Sequence, residues 1–267
     1  MMALFFLLLG GSSPVWSALP PAIDLLQRIV ENSGNTGFVI EQEVSLPTDS
    51  GLFSFRETWW VESEDKISVQ IRAPGFLQNT LFQNAQKISP NSSKQSWIDP
   101  VERIFHFRKS ERLGEELIRQ GILVAASVQK KNIGSLKDIT YRADPRLRLA
   151  RVGGQAVLAL GIASSVDKSE PGLWIDPENF ALRKYRNSLG TEVTAEHHSL
   201  FSGGLYFPKL RSYRWDQQSA QIQVVKVESR PFSRMKITPS EKENKIDFSQ
   251  IPESQRSTFQ NFLQRFR

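Results

Sequence analysis

The sequence predicts a mainly β protein, a curled antiparallel sheet forming an incomplete β-barrel, with a few short helices covering its concave face. Three observations predict this fold class. Apolar and polar residues alternate with a period of two along most of the 267 residues, turns containing Gly, Pro or Asp separate the alternating stretches, and no βαβ rhythm occurs. About ten or eleven strands are expected, and an antiparallel sheet of that size must curl or close.

The N-terminus has the pattern of a secretory signal peptide. Residues 1–23 carry no charged side chain, and an apolar run over residues 3–9 leads to a small-residue cleavage site at Ser17. The run is much shorter than the ~20 apolar residues of a transmembrane helix. We therefore expect a signal peptide over residues 1–17 and a soluble, periplasmic mature chain.

The mature chain begins with a helix predicted for residues 20–32, after which the period of two starts. The first strands place large apolar side chains on one face, with Glu57 among them, and a third strand follows over residues 66–72. Such a face is suited either to an apolar ligand cavity or to ordinary packing against the helices. The weak ligand-binding candidates are Phe38, Ile40, Phe53, Phe55, Trp59 and Val61.

Two copies of Trp-Ile-Asp-Pro predict hairpins, because Pro fixes φ and Asp bonds its own backbone. The paired stretches would be 96–98 with 103–107, and 173–175 with 181–186. Between the two hairpins, a helix is predicted for residues 110–121, and a second short one for residues 122–128.

The remaining strands are predicted at residues 147–152, 156–162, 192–199, 205–215 and 220–229. In the last of these the apolar phase changes at residues 224–225, which indicates a β-bulge. A charged loop follows over residues 230–245. Four apolar residues of the tail are spaced as one helix face. The predicted organisation is therefore one domain over residues 18–250 and an amphipathic helical tail over residues 251–267.

The sequence contains little that would support catalysis. Cysteine is absent, only three His occur, and no nucleophile elbow or phosphate-binding loop is present. The net charge of +6 suggests solubility or an anionic partner such as a membrane surface, but no nucleic-acid motif accompanies it. We therefore expect a protein that is not an enzyme, with no metal, no cofactor and no nucleic-acid partner.

Four stretches resemble the periplasmic lipoprotein-carrier superfamily, the LolA/LolB-like fold of outer-membrane lipoprotein-sorting proteins. They are the N-terminal helix that leads into the Phe38 strand, the Gly-Ser-Leu-Lys-Asp-Ile segment at 134–139, the Trp-Ile-Asp-Pro hairpin at 174–177 with its basic return strand, and the Gly-Gly-Leu-Tyr-Phe-Pro-Lys segment at 203–209. The resemblance covers roughly residues 24–229.

The resemblance implies an apolar cavity that accepts acyl chains, with an acylated lipoprotein or another lipid as partner. The implied function is a soluble carrier involved in outer-membrane lipoprotein sorting. Two alternatives stay open: an envelope-stress sensor on the same scaffold that binds a regulator or another envelope membrane protein, and, less favoured, a hydrolase of envelope polymers.

Overall fold

The structure is a computed structural model that describes residues 20–64, 66–72, 82–83, 86–87, 96–97, 101–124, 147–161, 170–231, 249 and 251–266. The helices are α1 (Ala22–Glu31), α2 (Ser110–Arg119) and α3 (Glu253–Phe266), with short 3₁₀ helices at Val101–Phe105 and Ser202–Gly204. The strands are β1 (Gly37–Thr48), β2 (Gly51–Ser63), β3 (Lys66–Arg72), β4 (Phe82–Gln83), β5 (Gln86–Lys87), β6 (Ser96–Trp97), β7 (Arg148–Val152), β8 (Gln155–Leu160), β9 (Gly172–Ile175), β10 (Leu182–Arg186), β11 (Glu192–Leu200), β12 (Tyr206–Trp215) and β13 (Gln218–Arg230).

Ten strands form one antiparallel sheet in the order β3-β2-β1-β13-β12-β11-β10-β9-β8-β7. Strands β4, β5 and β6 form a separate small sheet. The large sheet is not closed, because β3 and β7 stand at opposite edges of the order. The predicted fold class, a curled and incomplete barrel with short helices, is therefore confirmed.

One hydrophobic core lies between the inner face of the large sheet and the helices. Helix α1 contributes Leu25, Leu26, Ile29 and Val30, which recur at helical spacing and are all buried. Helix α2 packs next to α1, and α3 packs against β1 farther along the sheet. The three helices therefore cover one side of the sheet, and a second, smaller buried cluster is formed by Val157, Ala159 and Trp174 of β8 and β9.

The α1–β1 connection sits tightly against the Ser202–Gly204 turn. The amide of Asn35 donates to the Gly203 carbonyl at 3.2 Å, and Ser33 bridges to Leu205. Gly34 adopts φ 68°, and a Cβ on it would lie 2.7 Å from the Gly203 oxygen. Only glycine tolerates both conditions, so this contact fixes where α1 meets the sheet.

Two local predictions are confirmed at the residue level. The second Trp-Ile-Asp-Pro copy forms the β9–β10 hairpin, in which the Asp176 carboxylate accepts the amide of Glu178 at 2.9 Å. The bulge in the last strand is present as well, since Glu41 pairs with Lys226 whereas Gln42 pairs with Val224, leaving Val225 without a register partner on β1.

Two other local predictions are wrong. Residues 101–105 form a 3₁₀ helix instead of a return strand, because Val101, Ile104 and Phe105 are spaced to bury one side of a helical turn. The short helix predicted for residues 122–128 is absent at residues 122–124, since α2 ends at Arg119 and Gly121 reverses the chain at φ 73°, while residues 125–128 lie outside the described residues.

Several predicted features lie outside the described residues. They are the signal peptide at 1–17, the segment at 134–139, the turn at 98–100 and residues 232–245 of the charged loop. The division into a domain over 18–250 and a tail over 251–267 stays a prediction.

Candidate functional site

The six candidate residues lie side by side on the inner face of β1 and β2. Each exposes 6% or less of its surface, and all six belong to one buried cluster. The register explains their proximity, because Phe38 pairs with Val61 and Ile40 pairs with Trp59. The predicted shared face therefore exists, and in this structure it is covered by the helices. A ligand-binding role for these residues stays a prediction.

Phe53 and Phe55 are covered by the C-terminal helix. The ring of Phe259 on α3 lies 5.2 Å from that of Phe53 and 5.0 Å from that of Phe55, in edge-to-face geometry. Phe262 lies 5.7 Å from Phe55. Such offset ring pairs contribute about 0.5–1.5 kcal/mol beyond the area they bury.

The same helix also covers the inner face of β12. Phe266 lies 4.9 Å from the ring of Trp215 and 5.4 Å from that of Tyr213. We call this set the aromatic cluster; its members are Phe53, Phe55, Tyr213, Trp215, Phe259, Phe262 and Phe266. Sheet and helix contribute to it jointly, so α3 occupies a large share of the apolar interior.

A row of buried polar side chains, which we call the polar row, crosses the inner face of β2, β1 and β12; its members there are Glu57, Gln42 and Arg211. The Glu57 carboxylate accepts hydrogen bonds from Gln42 at 2.8 Å and from the Trp59 indole at 2.9 Å. Arg211 on β12 donates to the Gln42 side-chain oxygen. Charges at this depth are tolerated when they are hydrogen-bonded in this way.

The row also connects the sheet to the Val101–Phe105 helix. Arg211 lies 3.8 Å from the Glu102 carboxylate, and both side chains are almost fully buried. The Arg211 guanidinium lies 4.7 Å from the centre of the Phe207 ring. Arg211 therefore connects three elements of the interior through charge, hydrogen bonding and ring stacking.

A cleft of about 1490 Å³ opens beside the aromatic cluster. It lies between α2, the Val101–Phe105 helix, α3 and the turns that follow β10 and β12. Its floor consists of buried apolar and aromatic side chains: Val101, Ile104, Phe107, Tyr185 and Trp215. Because Trp215 belongs to both, the cleft and the aromatic cluster adjoin each other.

Charged and amide side chains form the rim of this cleft. The basic members are Arg103, Arg112, Arg119 and Arg265, opposed by Glu115, Glu116 and Asp216. Arg119 pairs with Glu116 at 2.6 Å. The amide side chains are Gln120, Asn187, Gln217, Gln218, Asn261 and Gln264. An apolar floor below a polar, partly cationic rim fits an amphiphilic ligand.

Arg265 fastens α3 at the edge of the cleft. Its guanidinium donates to the Leu189 carbonyl at 3.0 Å, to the Thr191 hydroxyl at 3.1 Å and to Asp216 at 2.8 Å. These acceptors belong to two different inter-strand turns. The helix is thereby tied to both turns through one side chain.

The described histidines carry no arrangement for acid–base chemistry. Burial, reinforced by the nearby Arg211 and Arg108, lowers the pKa of His106 to about 3. Burial and Arg183 lower the pKa of His198 to about 4. His197 is exposed, with φ 54°. Within the described residues, no group of three His, Asp or Glu side chains could hold a metal ion.

Sequence reasoning missed Arg211, Tyr213, Trp215 and the cleft floor as parts of the site. Their signal was present in part, because positions 211, 213 and 215 alternate along a correctly predicted strand. The periodicity of the sequence could not predict the cleft, because its lining residues come from elements far apart in the chain.

No family model matches the chain, and no curated protein matches it. A LolA superfamily protein from Nitrosomonas europaea is 14% identical with a TM-score of 0.46, and the match covers 79% of this chain and 94% of that one. An outer-membrane lipoprotein-sorting protein domain from Vibrio parahaemolyticus is 9% identical with a TM-score of 0.41, over 81% and 94% of the two chains.

The MucA/MucB complex from Pseudomonas aeruginosa also matches, at 13% identity and a TM-score of 0.28, over 85% of this chain and 61% of that one. The Nitrosomonas protein carries the name of the superfamily that the sequence motifs resemble. As for the membrane, none of the helices in the described part of the chain combines the length and apolar character needed to cross a bilayer.

Proposed function

We propose that this protein is a periplasmic carrier that binds lipid or the acyl chains of lipoproteins and takes part in outer-membrane lipoprotein sorting. The observation that carries the proposal is the cleft, whose apolar floor continues into the aromatic cluster. The sequence motifs that resemble LolA/LolB-like carriers support the same ligand class. The proposal assigns no reaction to the protein.

The size and lining of the cleft suit acyl chains. Its volume of about 1490 Å³ exceeds the ~300–1,000 Å³ of ordinary small-molecule pockets. A sixteen-carbon chain that leaves a membrane needs about 12 kcal/mol of replacement burial, at roughly 0.8 kcal/mol per CH₂. The floor side chains Ile104, Phe107 and Trp215 are apolar, but each exposes 5% or less of its surface, so burying a whole chain also requires apolar surface that the helices now cover.

The rim gives the ligand an orientation. Amide groups and the side chains of Arg103, Arg112 and Arg119 at the mouth would contact a polar or anionic headgroup while the chain lies on the floor, whereas Arg265 is engaged in fastening α3. Phe38, Ile40, Phe53, Phe55, Trp59 and Val61 do not line the cleft, and they would form an inner wall for acyl chains only where the helices that cover them move aside. The net charge of +6 of the whole chain, rather than the nearly balanced rim, would favour transient contact with an anionic membrane surface during loading.

The first experiment asks whether purified protein carries lipid. Mass spectrometry of organic extracts should detect acylated molecules, and a fluorescent fatty-acid probe should bind the delipidated protein and report displacement by natural lipids. Protein that carries no lipid and binds no acyl probe would overturn the carrier function.

A matched pair of surface variants locates the binding. Leu189 lines the cleft and is 75% exposed, whereas Leu200 is 72% exposed and lies away from it. Leu189→Glu should weaken probe binding about tenfold or more, because a carboxylate disfavours an adjoining acyl chain. Leu200→Glu should leave binding unchanged, and both variants should keep the wild-type Tm. Equal effects of the two variants on binding would place the ligand elsewhere.

A further inference from the structure

We propose that α3 is an intramolecular competitor of the acyl ligand: the helix occupies an acyl-chain subsite on the inner face of the sheet, and a ligand fills this subsite only when α3 leaves. The inference rests on the proposed function and adds regulation of the same site.

The position of α3 supports this role. Its buried side chains, Phe259, Phe262, Leu263 and Phe266, all lie on one face, which covers Phe53, Phe55, Tyr213 and Trp215. Its other face is polar, and Asn261 and Gln264 of that face line the cleft. The helix therefore separates the cleft from Phe53, Phe55 and Tyr213, whereas Trp215 lines the cleft itself. Without α3, those aromatic residues would extend the cleft floor beyond Trp215.

In addition to its aromatic packing, α3 is attached by polar contacts at its two ends. Polar contacts fasten each end: Ser254 contacts the Ser50 hydroxyl at 2.9 Å, and Arg265 contacts the two turns beside the cleft. A helix of 14 residues is marginal in water without a packing surface, so α3 depends on the sheet that it covers. Its covalent link to β13 keeps it at a high effective concentration near the subsite, as tethered competitors require.

An engineered disulfide tests the inference directly. The chain contains no cysteine, and the Ser50 and Ser254 hydroxyls are in contact. The double variant Ser50→Cys/Ser254→Cys should therefore form a bond that locks α3 to the β1–β2 turn, which a non-reducing gel verifies. The oxidised protein should bind the fluorescent fatty-acid probe about tenfold more weakly or not at all, and reductant should restore wild-type binding in the same sample.

A second pair of variants tests the opposite change, a shift towards release of α3 from the subsite. Arg265→Ala removes the contacts to both turns and should strengthen probe binding about tenfold, because it destabilises the state in which α3 occupies the subsite. Arg256→Ala is the matched control, since Arg256 donates to the Ile251 carbonyl within its own segment. Its probe affinity should equal that of the wild type.

The outcomes separate the two proposals. If the oxidised lock and Arg265→Ala both bind the probe with wild-type affinity, the competition is overturned while the carrier function stands. If the reduced double variant and the wild type bind no probe, the carrier function fails and the competition fails with it. Tighter binding by Arg265→Ala together with loss of binding in the lock supports both.

Discussion

At the scale of single residues, the buried charge of Arg211 has the clearest consequence for stability. It is buried on β12, donates to Gln42 and faces Glu102 at 3.8 Å. A buried ion pair adds little compared with apolar residues of the same shape, but removing one partner leaves the other charge in a poorly solvated place. Its removal therefore has a predictable cost.

We expect Arg211→Met to lower the free energy of unfolding by about 3 kcal/mol, because Glu102 stays buried without the guanidinium that faces it. Urea denaturation measures this loss. Adding Glu102→Gln to the same chain should recover part of the stability, and Arg214→Met at an exposed site of the same strand should change it by less than about 0.5 kcal/mol. An Arg211→Met protein as stable as wild type would contradict the role given to the polar row.

A buried histidine makes stability depend on pH. The folded pKa of His106, about 3, lies below its unfolded value of about 6.5. Above pH 6.5 the imidazole is neutral in both states. As the pH falls from 6.5 towards 3, only the unfolded state gains the proton, so the free energy of unfolding falls by up to ~1.4 kcal/mol per pH unit.

The substitution His106→Phe should remove the His106 share of that slope, since Phe keeps the ring that stacks on Phe207 and cannot bind a proton. A residual slope from His198 should remain, because burial also lowers its pKa, to about 4. Urea titrations between pH 7 and 4 compare the two chains. The same substitution at exposed His197 serves as the control and should leave the wild-type slope in place. If stability falls with pH equally in the wild type and in His106→Phe, protonation of His106 does not contribute to the pH dependence of stability.

At the scale of elements, the C-terminal helix belongs to the core. The tail sequence was sufficient to predict the apolar spacing of α3. Only the structure shows which residues that apolar face packs against. The ring of Phe259 meets Phe55, about two hundred positions earlier in the chain, at 5.0 Å. No local pattern encodes a contact at that separation.

A double-mutant cycle measures this docking. Phe55→Ala and Phe259→Ala should each destabilise the protein by about 3–5 kcal/mol, and their combination should cost less than the sum by roughly 0.5–1.5 kcal/mol, the coupling of one ring pair. The pair Leu52→Ala and Phe259→Ala is the control, because Leu52 is 66% exposed. Strict additivity in both cycles would mean that α3 does not pack on Phe55 in solution.

At the scale of the whole molecule, the open sheet is compatible with the proposed exchange of a helix for an apolar ligand. A ten-stranded sheet that curls without closing leaves its two edge strands apart, so short helices can cover its inner face and part from it without breaking the ladder.

The predicted export fits this whole-molecule role. We expect the mature chain to begin near Ala18 and to occur in the periplasmic fraction, because the uncharged apolar run ends at a small-residue cleavage site. N-terminal sequencing of the fractionated protein checks the start. A chain that keeps Met1 and stays in the cytoplasm would contradict the proposed location.

The sequence alone was sufficient for the strand periodicity, the β9–β10 hairpin, the bulge at Val225 and the shared face of Phe38 to Val61. These features depend on alternation and turn chemistry, which act between near neighbours. The same reasoning failed for residues 103–107, where buried positions follow a helical turn that a short segment cannot distinguish from a strand by composition.

Only the tertiary structure decided what lies against the shared inner face of β1 and β2. The covering by α3, the link from Arg211 to Glu102 and the cleft beside Trp215 all join segments separated by many tens of residues. Side-chain alternation specifies which residues turn inward, but it carries no information on which distant element fills the space they enclose. That choice follows from the register of the whole sheet and from the volumes that its curl leaves to be packed.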